Sequence, residues 1–111
     1  YLTRAEAYAE LNRPELALED LNRIRKRGNP TLADFAGSIE QIRAEILLER
    51  RRELAFEGHA FFDLTRRGQG VNRVDCEGGN CQVSYPSNLF VLPIPIAALQ
   101  ANPNLRQNDG Y

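Results

Sequence analysis

The sequence predicts a mainly α-helical protein whose last third is loop-rich and partly extended. Apolar residues recur every three or four positions over residues 1–27 and again over 39–57, which is the period of an α-helix with one buried face. Gly58 and Gly68 interrupt this pattern, because glycine readily adopts the positive φ that ends a helix. Beyond Gly68, glycine, asparagine and proline become frequent and mark loops. We therefore expect a helical hairpin, further helices, a disulfide-closed loop and an extended C-terminal segment.

Residues 1–30 are the predicted hairpin. Asn12-Arg13-Pro14 is the expected turn, since proline is tolerated in the first turn of a helix. The apolar positions alternate small and large side chains, and they are Ala5, Tyr8, Leu11, Ala17, Leu21 and Ile24. This pattern resembles one tetratricopeptide repeat (TPR), and an ordinary antiparallel helix pair is the other interpretation that it allows.

The charge distribution does not favour a nucleic-acid partner. The formal net charge is −1 and acidic residues are interleaved with basic ones, whereas nucleic-acid-binding domains usually carry a clear basic excess. One basic run is present, at Arg23, Arg25, Lys26 and Arg27. It ends a predicted helix, where cations interact favourably with the helix dipole, so we interpret it as a solvated helix end.

A long helix is predicted from Ile39 to about Glu57. Ser38 is the expected N-cap, because its hydroxyl can accept a hydrogen bond from the first turn. The apolar stripe of this helix is formed by Ile39, Ile42, Ile46, Leu47, Leu54 and Phe56. Three arginines at 50–52 lie between Glu49 and Glu53 and predict a structural ion-pair network.

A shorter aromatic helix should follow the joint at Glu57-Gly58-His59. Phe61, Phe62 and Leu64 give it an apolar side, and Gly68 is expected to end it. The pair of helices therefore forms an elbow with aromatic side chains inside.

His59 is the one histidine, and it is close in sequence to Glu57 and Asp63. A small hydrolase using these groups is one hypothesis, but the sequence shows no nucleophile motif beside them. A histidine beside a turn is more often a hydrogen-bonded structural residue. We therefore predict no enzyme activity, no catalytic residue, no cofactor and no metal ligand.

Both cysteines flank a glycine-rich turn, Cys76-Glu77-Gly78-Gly79-Asn80-Cys81. The alternation of Cys81, Val83 and Tyr85 predicts a short strand, and a small hairpin closed by a Cys76–Cys81 disulfide is the natural interpretation. A pair of reduced thiols in a flexible loop is the alternative. Tyr85 is the aromatic residue of this loop region that we expect to face solvent, which makes it a weak ligand candidate.

The C-terminal segment contains three predicted pieces. Leu89 to Leu92 should be extended and lie against the elbow, and Pro93 and Pro95 extend the chain further. Residues 96–101 can form one or two helical turns that end before Pro103. Residues 102–111 are expected to be polar coil unless the scaffold binds them.

Four segments of the chain resemble the C-terminal end of SusD/RagB-type lipoproteins. They are the stretch ERRRELAFEGHAFFDLTRRG at 49–68, Leu92-Pro93-Ile94-Pro95, Ala101-Asn102-Pro103-Asn104, and Gln107-Asn108-Asp109-Gly110-Tyr111. The resemblance covers nearly the whole chain from Ala5. It implies a single C-terminal fragment of a SusD/RagB-like domain, with the parts 1–30, 39–68 and 69–111.

The resemblance also implies a function. It indicates glycan capture at the outer membrane of Bacteroidetes-type bacteria, on a lipoprotein that faces the cell surface and delivers oligosaccharides to a TonB-dependent SusC-like transporter. Membrane attachment would come only through a lipid anchor outside these residues. The glycan-contacting residues of the family lie largely outside the matched segment and differ between members, so the resemblance assigns none here. A TPR-like protein-interaction module without a small-molecule ligand is the alternative function.

The start of the chain predicts self-association. The sequence has no Met at position 1 and opens inside a helix pattern, so we expect a piece of a longer protein. The surface around Tyr1, Leu2, Ala5 and Tyr8 should then lack its cover, and a large exposed apolar patch favours a two-fold homodimer.

Overall fold

The computed structural model describes residues 1–79 and 81–111, and the chain divides into two compact units. The N-terminal unit is Tyr1–His59, and the C-terminal unit is Ala60–Tyr111. Five α-helices and one two-stranded ribbon make up the regular structure of the described residues. The predicted mainly α-helical class is confirmed.

The N-terminal unit begins with the predicted helical hairpin. Helix α1 spans Leu2–Glu10 and helix α2 spans Pro14–Gly28. Pro14 occupies the first turn of α2, where its missing N–H leaves no helical hydrogen bond unmade. Asn12 turns the chain with a φ of 55°, a left-handed conformation that asparagine tolerates better than most residues.

The core of this unit lies where α1 and α2 pack against helix α3 (Ile39–Glu53). Alanines at the helix contacts let the backbones approach closely, and Ile42 and Ile46 of α3 are fully buried one turn apart. The buried apolar residues of the described chain are Leu2, Ala5, Ala9, Ala17, Leu21, Ile24, Ile42 and Ile46. All eight belong to the N-terminal unit.

A capping box starts α3, as predicted from Ser38. The Ser38 hydroxyl accepts a hydrogen bond from the N–H of Gln41 at 3.4 Å, and the Gln41 side chain accepts one from the N–H of Ser38 at 2.8 Å. Two N–H groups that the helix cannot pair are thereby satisfied.

The end of α3 corrects the prediction. The helix stops at Glu53, and a tight turn follows in which the N–H of Glu57 donates to the carbonyl oxygen of Leu54 at 3.2 Å. Phe56 lies in this turn with a φ of 65° and is fully exposed, so its assignment to the buried stripe is wrong. Gly58, with a φ of 78°, occupies the predicted joint before the next helix.

One ion pair is built into the hairpin. Asp20 of α2 is 2% exposed and accepts two hydrogen bonds from the guanidinium of Arg4 in α1, both at 2.7 Å. These hydrogen bonds hold the pKa of the Asp20 carboxyl below its usual value, although burial opposes the shift. The pair therefore fixes α1 to α2 beside the apolar contacts.

The C-terminal unit opens with helix α4, which spans His59–Arg66 and includes the last residue of the N-terminal unit. Gly68 ends it as predicted, with a φ of 62°. The N–H of Gln69 donates to the carbonyl oxygen of Leu64 at 2.9 Å, and that of Gly68 donates to Thr65 at 3.0 Å. This is a Schellman motif, which pairs the last carbonyl groups of the helix.

The predicted disulfide-closed loop is present. Strand β1 (Val71–Asn72) pairs antiparallel with strand β2 (Gln82–Val83), and the disulfide joins Cys76 to Cys81 with 5.4 Å between their Cα atoms. The ordered strand is shorter than the alternation of Cys81, Val83 and Tyr85 predicted. Asn80, a predicted loop position, lies outside the described residues.

The C-terminal segment is extended in part. Leu89 and Phe90 lie in a 3-10 turn at Asn88–Phe90, because the Ser87 hydroxyl accepts a hydrogen bond from the N–H of Leu89 at 3.3 Å. The expectation of an extended chain is therefore wrong for these two residues and holds from Val91. Helix α5 spans Ile96–Ala101, in the position predicted.

The polar tail is anchored by amide side chains. The Gln107 amide oxygen accepts a hydrogen bond from the N–H of Ile94 at 2.8 Å, and the Gln107 amide nitrogen donates to the carbonyl oxygen of Ile94 at 3.0 Å. Asn108 adds a bond from its side-chain nitrogen to the carbonyl oxygen of Leu92 at 2.7 Å. The amide side chains thus pair with the extended segment much as a neighbouring strand would.

The apolar patch expected at the start of the chain is absent from the described surface. Leu2 and Ala5 are buried in the core, and Tyr8 is partly buried against it. Tyr1 is exposed, but the guanidinium of Arg23 lies 4.8 Å from the centre of its ring. The hairpin packs its own apolar residues into the core, so the described residues do not show the apolar surface on which the homodimer prediction was based.

Candidate functional site

The described surface of the C-terminal unit contains a groove beside the β1–β2 ribbon. It has a volume of about 360 Å³ and is open to solvent. The lining residues are Gly68, Gly70, Val71, Asn72, Gln82, Val83, Ser84 and Tyr85. The groove thus collects the end of α4, both strands and the one aromatic residue that the sequence singled out.

Gly70 sets the shape of the groove. A Cβ at this position would lie 2.5 Å from the carbonyl oxygen of Val83 and 3.2 Å from the Cα of Ser84. Real side chains do not approach backbone atoms so closely, so the chain entering β1 can run this near to β2 only with glycine. The sequence offered Gly70 merely as a loop marker, because the close approach involves residues 13 positions away.

Tyr85 forms one side of the groove. Its ring meets the ring of Phe90 edge to face at 5.4 Å between centroids, and Phe90 in turn stacks on Phe61 of α4 at 5.7 Å. The Tyr85 ring also lies 3.5 Å from the point where Gly68 would carry a Cβ. Neighbours therefore fix the ring in position, while 46% of Tyr85 stays exposed. The prediction of a solvent-facing tyrosine in this loop region is confirmed, and its ligand role stays a prediction.

The polar residues of the groove were not identified from the sequence. Asn72 and Gln82 are directly opposite each other in the ribbon, and the Gln82 amide nitrogen donates to the Asn72 oxygen at 3.4 Å. The amides and the Ser84 hydroxyl can each donate and accept hydrogen bonds. Among the eight lining residues none carries a charge. The groove is suited to a neutral ligand rich in hydroxyl groups.

His59 and Asp63, groups of the hydrolase hypothesis, do not line the groove beside the ribbon. Asp63 accepts a hydrogen bond from Arg66 at 2.8 Å within α4, which directs that carboxylate to an ion pair on its own helix. His59 is itself exposed at the start of α4. In residues 1–79 and 81–111 no group of three or more His, Cys, Asp or Glu side chains is arranged to hold a metal ion.

The basic run of α2 is engaged in ion pairs. Arg27 pairs with Glu53 of α3, and Lys26 pairs with Asp34 at 2.7 Å. The Nε of Arg25 lies 3.6 Å from a carboxylate oxygen of Glu45 in α3. Arg23, Lys26 and Arg27 are exposed at the end of α2, so the expected solvated helix end is confirmed. The run also forms ion pairs that connect α2 to its neighbours.

The predicted ion-pair network around 50–52 is confirmed for Arg52. Arg52 approaches Glu45 at 3.4 Å and Glu49 at 3.2 Å, so Glu45 contacts arginines from two helices. Each ion pair is partly exposed and alone contributes little to the free energy of unfolding. The arginines already share the Glu45 carboxylate, so they position the helices and are not arranged to bind an added anion. This face of the N-terminal unit is therefore scaffold.

None of the helices in the described ranges has the length and apolar character needed to cross a lipid bilayer.

Comparison with known proteins gives a consistent family assignment. Residues 1–111 match the model of the SusD family. The chain is 36% identical over 115 residues to the starch-binding protein SusD of Bacteroides thetaiotaomicron, and 34% identical over 115 residues to a SusD-like protein of Formosa agariphila. These matches cover 100% and 98% of the chain but 20% and 22% of the two relatives.

Solved structures agree with this assignment. A putative sugar binding protein from Bacteroides vulgatus is similar over 100% of the chain, with a TM-score of 0.79 and 32% identity, and the match covers 27% of that structure. A SusD superfamily protein from the same organism is similar over 100% of the chain, with a TM-score of 0.74 and 37% identity, and the match covers 26% of it. The chain spans about a fifth of the length of the curated relatives and about a quarter of the solved chains.

Proposed function

The chain belongs to the SusD family, and we propose on that basis that it is a non-catalytic part of a glycan-binding lipoprotein at the cell surface. The observation that carries the proposal is the family match over residues 1–111, together with relatives described as starch-binding and sugar-binding proteins. The glycan is an oligosaccharide that the protein captures from the medium.

The neutral groove supports a binding role over a catalytic one. It offers an aromatic ring, two amides and a hydroxyl, which are groups that recognise a ligand without changing it. The hydrolase hypothesis needs His59 to act with Glu57 or Asp63, but Asp63 is paired with Arg66 and the sequence has no nucleophile motif beside these groups. The proposal therefore includes no reaction.

Delivery to a membrane transporter is the second part of the proposal. We place the protein on the outer membrane through a lipid anchor, where it passes oligosaccharides to a TonB-dependent SusC-like transporter. The N-terminal unit suits a supporting role, because its core and interhelical ion pairs form a rigid three-helix scaffold. A rigid scaffold positions a binding surface before association, so little conformational entropy is lost when the partner binds.

A TPR-like interaction module is the alternative, and the α1–α2 hairpin favours it. Ala5 and Ala9 of α1 are buried with Ala17 of α2, so the hairpin has the small-residue contacts of a repeat. Such a module would bind a protein and no saccharide.

Two measurements on the whole encoded protein separate these functions. We expect slower migration in native gels that contain at least one neutral polysaccharide, and co-purification of a TonB-dependent transporter from outer membranes. Absence of retardation with every polysaccharide, together with recovery of a protein partner of another class, would favour the interaction module. The genes beside the coding sequence give a prior check, since a transporter gene next to it is expected.

A further inference from the structure

The groove beside the ribbon is a specific candidate for one part of the glycan contact. We propose that it binds a single neutral pyranose ring of an oligosaccharide, with Tyr85 as the stacking surface and Asn72 and Gln82 as hydrogen-bonding partners. This inference rests on the proposed glycan-binding function and adds a location, residues and a ligand charge to it.

The Tyr85 ring is held in a position where a sugar can stack on it. One face of a pyranose ring presents C–H groups, which carry slight positive charge and are attracted to the electron-rich face of an aromatic ring. Edge contact with Phe90 and stacking of Phe90 on Phe61 already fix the Tyr85 ring. The ring is therefore already ordered before a ligand stacks on it, and binding costs little side-chain entropy.

Two amide side chains among the lining residues can bind sugar hydroxyls. Sugar hydroxyls both donate and accept hydrogen bonds, and an amide side chain offers one acceptor and two N–H donors in a fixed plane. Asn72 and Gln82 lie opposite each other in the ribbon, and their amides are within a long hydrogen-bond distance of 3.4 Å. One bond between them leaves further donors and acceptors on both amides for a ligand.

The charge and size of the groove also suit a neutral sugar ring. The eight lining residues are all uncharged, so an acidic saccharide gains no cationic partner in the groove. The volume of about 360 Å³ lies at the lower end of the range of about 300–1,000 Å³ found for small-molecule sites. An open groove of this size is suited to one ring of a saccharide.

The test measures oligosaccharide binding by the whole encoded protein with isothermal titration calorimetry. The probes are maltohexaose, cellohexaose, xylohexaose and mannohexaose, and an oligogalacturonate serves as the acidic comparison. We expect Tyr85→Ala to weaken the Kd for the bound neutral probe by about 3- to 10-fold, the usual contribution of one aromatic contact. Tyr85→Phe keeps the ring and should stay within about two-fold of wild type. Tyr111→Ala removes an equally exposed tyrosine outside the groove and is the matched control.

The outcomes separate this inference from the proposed function. If the wild-type protein binds no probe, the glycan-binding proposal itself fails. If wild type binds and Tyr85→Ala binds equally well, the groove assignment fails while glycan binding stands. Because Tyr85→Ala also removes a contact with Phe90, Gln82→Ala provides a second variant at an exposed position. A well-folded Gln82→Ala protein with unchanged affinity would likewise overturn the assignment.

Discussion

Leu21 is the residue whose truncation tests the packing of the N-terminal unit most directly. It is 0% exposed and is one of the three largest fully buried side chains, with Ile42 and Ile46. Leu21→Ala removes three carbon atoms, and at about 0.8 kcal/mol per buried methylene the transfer loss is about 2.4 kcal/mol. The cavity left behind raises the expected loss in the free energy of unfolding to about 3–4 kcal/mol.

This loss is large compared with the stability available. Domains are stabilised by about 0.05–0.15 kcal/mol per residue, which for the 59 residues of the N-terminal unit gives about 3–9 kcal/mol. We therefore expect Leu21→Ala to remove between a third and all of the stability of that unit. Urea unfolding of the 111-residue chain, followed by circular dichroism at 222 nm, reports mainly on this unit, because α1, α2 and α3 contain most of the helical residues described.

The matched control is Leu11→Ala, the same substitution at a leucine that is 67% exposed. It leaves no cavity and should change the free energy of unfolding by less than about 1 kcal/mol. A Leu21→Ala protein that unfolds within about 1 kcal/mol of wild type, or of the control, would show that the three helices do not pack as described.

Two further predictions concern polar contacts. Hydrogen bonds from Arg4 lower the pKa of Asp20 in the folded state. The Asp20 carboxylate therefore stabilises the fold fully above its unfolded pKa of about 3.9, and this stabilisation is lost as the pH falls through the lower pKa of the folded state. Urea titrations should therefore find Asp20→Asn less stable than wild type at pH 7 by about 1–3 kcal/mol, with a gap that narrows below about pH 4; a gap that does not depend on pH contradicts the assignment. Gln107→Ala should accelerate hydrogen exchange at the amide of Ile94, since the side chain that accepts its N–H is gone, whereas the exposed Gln100→Ala should leave that rate unchanged. Equal rates in both variants would show that the tail is not anchored there.

The helices were predictable because their signals are local. The apolar period, Pro14 and the cap at Ser38 all act within a turn or two of the residues that they organise, and each has the predicted role. The end of α3 was not predictable from the period. Leu54 and Phe56 continue the apolar spacing, and only the turn after Glu53 shows that Phe56 leaves the helix with a left-handed backbone.

Of the groove residues used in the proposal, only Tyr85 was predicted from the sequence as a ligand candidate. Tyr85 was recognised because an aromatic residue in a glycine-rich loop has no obvious helix face to join. Asn72 and Gln82 were missed because their importance depends on a strand pairing ten residues apart, and a two-residue strand leaves no alternation to detect. The Gln107 contact with Ile94 was missed for the same reason, because the sequence of a polar tail does not indicate which backbone segment it will bind.

The two units are stabilised by different means, and this difference bears on function. Each buried apolar side chain of the described residues lies in the N-terminal unit, while the described part of the C-terminal unit contains no buried residue. A segment without a core needs other constraints, and this one has a disulfide, a Schellman motif at Gly68 and the amide contacts of Gln107. These constraints fix the backbone while leaving aromatic rings such as Tyr85 accessible, which a conventional core would bury. Order without burial suits a ligand-binding surface, which is why the proposed sugar contact involves residues of the C-terminal unit and not of the helical one.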